Sequence, residues 1–130
     1  MSDTTVKTVD LDAALSGVSQ WRIAQIRRTI VYIEQSIKTA LEPLVFEPNN
    51  LTTWRAAIEA ASHFLHGLWL QGGLLGASSS ESYHVACGLG STMTQDDVEG
   101  GLMIVQVAVQ IVHPAEFIAL TFEQPTQAAA

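Results

Sequence analysis

Seven large aliphatic residues, Ile23, Ile26, Ile30, Ile33, Ile37, Leu41 and Leu44, recur at steps of three and four. That spacing puts them on one side of an α-helix and leaves the opposite side polar. The β-branched stretch Thr29-Ile30-Val31 lowers helix propensity without breaking the period. Ser19 is the N-cap candidate. Pro43 disfavours helical backbone at Glu42, so the helix is expected to stop near Leu41. Phe46-Glu47-Pro48-Asn49-Asn50 then reads as a connector rich in turn formers. A second helix follows, capped by Asn50 or Thr52. Its stripe is Trp54, Ile58, Ala61, Leu65 and Leu68, widened by Ala57, Phe64 and Trp69. Gly72-Gly73 ends it.

The last third has a different period. After an apolar elbow at Leu74-Leu75-Gly76 and a flexible turn at Ala77-Ser78-Ser79-Ser80, Tyr83 to Cys87 reads as a short strand. Residues 88–101 form a polar connector. From Leu102 to Val112 the odd positions Met103, Val105, Val107, Val109 and Ile111 are all large and apolar, while the even positions are mixed. Such a strand buries one face fully and the other in part. His113-Pro114 breaks it, and Phe117 to Phe122 is a last strand. Two helices followed by three strands predict an α+β, two-layer domain with a small mixed sheet.

Composition adds to this. Apolar residues make up 48% of the 130 and charged ones 15%, against about a quarter charged in an ordinary soluble domain. Disorder is excluded as the main state. So little charge beside so much apolar surface suggests that other chains cover part of it. All six basic residues (Lys7, Arg22, Arg27, Arg28, Lys38 and Arg55) lie in the first part and are balanced there by six acids. The net charge of -7 therefore falls entirely after Arg55. Nucleic acid is excluded as a partner for want of a cationic footprint, and anionic membranes are disfavoured for the same reason. Leu102–Val112 is too short to span a bilayer. The N-terminal dozen residues are too polar for a signal peptide. The lone Cys87 suits a reducing compartment.

Catalytic and cofactor chemistry find little support. Nucleophile elbow, phosphate loop, paired-cysteine and zinc-helix motifs are missing. Gly88-Leu89-Gly90 lacks the third glycine and the helix of a dinucleotide site. Glu59, His63 and His66 share a helical face at metal-like spacing, but no fourth ligand is placed; three polar side chains on a wet face are the better reading. His84 and Cys87 would point to opposite faces of a strand. Asp96, Asp97 and Glu99 lack the ligand ladder of a calcium loop and read as a solvated acidic turn. No catalytic site, metal or cofactor is expected.

Several segments, in order and at uninterrupted spacing, resemble the C-terminal inner domain of contractile phage tail sheath proteins. These are Trp21 with Ile26-Arg27-Arg28 and Tyr32-Ile33-Glu34-Gln35-Ser36-Ile37, Phe46-Glu47-Pro48-Asn49 with Trp54, and Leu65 and Trp69 with Gly73-Leu74-Leu75-Gly76. Tyr83-His84-Val85-Ala86-Cys87, Thr94 to Gly100, and Pro114-Ala115-Glu116-Phe117-Ile118 with Glu123-Gln124 complete the match. Tyr83 stands where the family usually has Phe, and Gly88 where many members carry Asp. Family subunits are several times longer, with outer domains before this one.

The resemblance implies a structural subunit of a contractile tail sheath or related injection system that polymerises around a tail tube. It would form a helical or ring lattice of copies, with a baseplate or a separate outer-domain chain as further partners, in a virion tail or in bacterial cytoplasm during assembly. The sheet would be completed by strands from neighbouring subunits, a β-augmentation. Residues 1–18 are the expected arm, 19–124 the domain and 125–130 a flexible tail. The expected inter-subunit arm residues are Val6, Val9, Phe117, Ile118, Leu120 and Phe122. Arg27, Arg28, Glu34 and Glu116 are the expected tube-facing or inter-subunit charges. The rival reading is a small cap, adaptor or assembly regulator derived from the same domain.

Overall fold

The computed structural model describes residues 4–8, 11–113 and 116–127. The isoleucine stripe becomes α2, Gln20–Leu41, with Ile26, Ile30, Ile33, Ile37 and Leu41 buried. Each fully buried aliphatic side chain contributes roughly 1.5–3 kcal/mol by leaving water. Ser19 occupies the N-cap in extended conformation, but its side chain makes no capping bond. Pro43 acts as expected: α2 gives way to a 3₁₀ turn over Glu42–Leu44. Asn50 caps α3, Leu51–Leu70, by accepting from the Thr53 N–H. Ala57 is fully buried and Ile58 only half-buried, so the inner stripe of α3 runs through Ala57 and Ala61. Small side chains there let α3 lie close against its neighbours. Gly72, at φ 82°, ends the helix in a Schellman motif, with Gly72 N–H donating to Trp69 O and Gly73 N–H to Leu68 O.

Among the described residues the strands are β1 (Thr5–Thr8), β2 (Tyr83–Cys87), β3 (Leu102–Val109) and β4 (Ile118–Pro125). They form one sheet in the order β1-β4-β3-β2. Every neighbour pair is antiparallel, where a mixed sheet was expected. The reason is the connections: β2, β3 and β4 follow one another without a crossover helix long enough to bring strands parallel. Both helices lie on one face. Met103, Val105, Val107 and Val109 of β3 are fully buried beneath them, as are Leu120 and, at 1% exposure, Phe122 of β4.

Four local features differ from expectation. β3 stops at Val109, because the Gln110 N–H donates to Ser82 O and its carbonyl accepts from the Leu75 N–H. β4 begins at Ile118 and runs on to Pro125, and Gln124 is buried. Short helices α1 (Leu11–Ala14), α4 (Ser79–Ser82) and α5 (Gln95–Glu99) occupy segments expected to be arm, turn and connector. In α5, Thr94 and Asp97 form a reciprocal capping box, so the acidic turn is an ordered helix start. Finally, the fourth strand belongs to this same chain, where the resemblance implies a strand from a neighbouring subunit.

Candidate functional site: the pairing of the two chain ends

β1 and β4 come from opposite ends of the sequence. Their register sets Thr5 against Glu123, Val6 against Phe122, Lys7 against Thr121 and Thr8 against Leu120. Alternation points Val6 and Thr8 toward the helices and Thr5 and Lys7 away from them. Val6 is half-buried and is the single apolar side chain that the described part of this strand packs against the core. Val9, the other apolar arm residue expected here, lies outside the described residues.

Polar contacts do what apolar ones do not. The Thr4 hydroxyl donates to Gln124 Oε1 at 2.6 Å, and Gln124 Nε2 donates to Leu41 O at 3.1 Å. Thr4 and Gln124 are both buried. Their pairing matters because an unpaired polar group in that position costs more than a bond there contributes. At the other end of β1, the Thr8 hydroxyl donates to Glu34 Oε2 at 2.8 Å. Glu34, expected to face a tube or a neighbour, therefore holds its own N-terminal strand onto α2. Thr4, Thr8 and Gln124 escape a sequence reading because small polar residues near chain ends look solvated. Only the alternation of Thr4, Val6 and Thr8 hints at an inward face.

The other expected site residues are spread out. Ile118, Leu120 and Phe122 line the inner face of β4 and are buried. Phe117 precedes the strand, is 42% exposed, and packs on His84 with ring centroids 5.0 Å apart. Arg27 pairs with Asp12 at 2.9 Å on the surface. Arg28 lines a shallow groove with Gln25, Tyr32 and Gly72, on the other side of α2 from the arm. Glu116 lies 4.0 Å from His113. The four charges do not converge on one patch.

The chain continues past β4 in contact with the body. Pro125 O accepts from the Phe46 N–H, Thr126 N–H donates to Gly101 O, and Gln127 N–H donates to Glu47 O. The same connector carries a buried polar joint. The Trp54 indole donates to Asn49 Oδ1 at 2.6 Å, and Asn49 Nδ2 donates to Leu102 O at 3.0 Å. The Phe46-Glu47-Pro48-Asn49…Trp54 signature thus fastens α3 and the connector before it to the start of β3.

Among the described residues no group of three His, Cys, Asp or Glu could hold a metal ion. His66 Nδ1 lies 3.3 Å from the Tyr83 hydroxyl. His84 is exposed and Cys87 buried, on opposite faces of β2. Burial pushes the Cys87 thiol up to about 12, so it stays protonated and unreactive at neutral pH. No helix among the described residues is long and apolar enough to cross a membrane.

A two-layer α+β domain whose open sheet pairs strands from its own two ends defines a strand-pairing structural module. Residues 18–124 match the family model of the phage tail sheath C-terminal domain, and the chain belongs to that family. Among solved structures, a chain of the anti-feeding prophage baseplate is 47% identical, with a TM-score of 0.65 over 71% of this chain and 26% of that one. The contracted helical sheath of the anti-feeding prophage gives 47% identity and a TM-score of 0.62 over 71% and 26%. The contracted PVC sheath complex, from an extracellular contractile injection system, gives 46% and 0.59 over 65% and 24%. The chain thus spans about a quarter of the length of the solved chains it matches. No curated protein matches it.

Proposed function

We propose that this chain is the inner domain of a structural sheath subunit, which polymerises around a tail tube by exchanging its terminal strands between copies. The observation that carries this reading is the β1–β4 ladder. It joins the two ends of the sequence, and β1 brings one apolar side chain to the core. A strand held by backbone bonds and a few polar contacts can leave its own β4 and pair with that of another copy at little net cost, because the same bonds form again. An exchange of this kind is head-to-tail and gives rings or helical tubes. The assembled lattice would extend around the tube and contract by subunit rotation, with the exchanged strands keeping it joined. Its site of action would be a phage tail or a related injection particle built in the bacterial cytoplasm.

Self-pairing within one chain favours a second reading, a cap or adaptor that occupies a lattice position and ends growth. Light scattering after size-exclusion chromatography separates the two: long polymers support the sheath, while a monomer or closed ring at high concentration supports the adaptor. The exchange itself is tested by deleting residues 1–10, which removes β1 and leaves the buried strand β4 in place. The product is expected to form no tubes in negative-stain images, and normal tubes would rule the exchange out.

A further inference from the structure

We propose that the contacts Thr4–Gln124–Leu41 and Thr8–Glu34 determine the register of the N-terminal strand on β4, whichever copy donates it. A slip of one residue needs no such device, because it would turn Lys7 toward the core. Slips of two keep the faces, and there the apolar pattern discriminates poorly. Val6 lies against Phe122, and moved by two in one direction it would meet Leu120, which is equally buried and apolar. That slip places the Thr4 hydroxyl against Phe122 and takes Thr8 away from Glu34. The opposite slip brings Val6 against Gln124, whose Oε1 then loses the buried donor it has now. The polar groups thus penalise both slips, and Gln124 is itself fixed by its bond to Leu41 O at the end of α2. The side chains that choose the register at this joint are therefore polar.

The extension to a strand from a second copy rests on the exchange proposed above; the register within one chain does not. Cysteine pairs on the outward face read register directly. Opposed positions come within disulfide reach, and diagonal ones stay too far apart. Thr5→Cys with Glu123→Cys reports the observed register. Thr5→Cys with Thr121→Cys, and Lys7→Cys with Glu123→Cys, report the two slips. Native Cys87 is buried and stays a thiol, so it does not compete. On oxidation of the full chain, the in-register pair is expected to form at least about tenfold faster than either slipped pair. In a Thr4→Val/Thr8→Val background that preference should shrink to about threefold or less. A preference that stays tenfold in that background overturns the inference. If the double variant does not fold by circular dichroism, Thr8→Val alone is read in the same way, since it removes only the part-buried contact with Glu34 and leaves the buried Thr4–Gln124 bond intact. Gel mobility separates links within a chain from links between chains. Disulfides confined within single chains would refute strand exchange, while the ratio of in-register to slipped product still decides the register.

Discussion

At the scale of single residues, two buried groups make clear claims. Asn49 is 5% exposed and serves the Trp54 indole and the Leu102 carbonyl together. Asn49→Ala leaves both partners buried without their bond. It should lower the unfolding free energy by about 2–3 kcal/mol in a urea titration; a loss under about 0.5 kcal/mol would mean water replaces the amide without penalty. Cys87 acts through its proton. Its ordinary value of 9.0 rises to about 12 because burial penalises the thiolate. A group whose pKa is higher in the folded state stabilises the fold fully below its unfolded value. That contribution is lost as pH climbs through the window between 9.0 and about 12. Stability measured at pH 8 and pH 10.5 should therefore fall more steeply in the native protein than in Cys87→Ala. Equal slopes would place the alkaline loss elsewhere. The presence of Cys87 and Asn49 is plain in the sequence. What they bond to is not, because Asn49 meets Leu102 across fifty-odd residues of chain.

At the scale of elements, periodicity was an accurate guide wherever a segment was long and amphipathic. The stripe from Ile23 to Leu44 is α2 with its 3₁₀ extension, and the odd residues of β3 are its buried face. It was a poorer guide at strand ends. Phe117 looked like the first residue of the last strand, yet it lies before β4 and packs on His84 at the surface. Two aspartate substitutions separate these positions. Leu120→Asp buries a charge where the side chain is 0% exposed, and should cost about 4 kcal/mol or more, enough to unfold a small domain. Phe117→Asp should change the stability of the single chain by under about 1 kcal/mol. Thermal melts of both settle the contrast, and equal losses would put Phe117 in the core. If Phe117→Asp still abolishes polymers, its role lies between copies.

At the scale of the whole molecule, the sheet has β2 and β1 as its two open edges, and the chain's own N-terminal strand covers what would otherwise be the edge at β4. Removing residues 1–10 would bare the β4 edge, an invitation to another strand. Mixed with the intact chain, such a truncated chain is expected to accept its N-terminal strand and give a heterodimer in light scattering. Two unchanged monomer peaks would mean that β1 is not transferable. The charge distribution belongs to this scale too. A net -7 carried after Arg55 makes copies repel, so association of any kind should be favoured by added salt.

The sequence by itself determined the α+β class, the two long helices, the buried face of β3 and the family, since periodicity and ordered motifs are local properties of a chain. Only the tertiary structure decided that the sheet is antiparallel throughout and that β1 closes on β4. It alone revealed that Thr4, Thr8 and Gln124 matter. The contacts of Thr4, Thr8 and Gln124 join residues more than twenty positions apart, and no local pattern records which distant backbone or carboxylate a small hydroxyl will meet once the layers have packed.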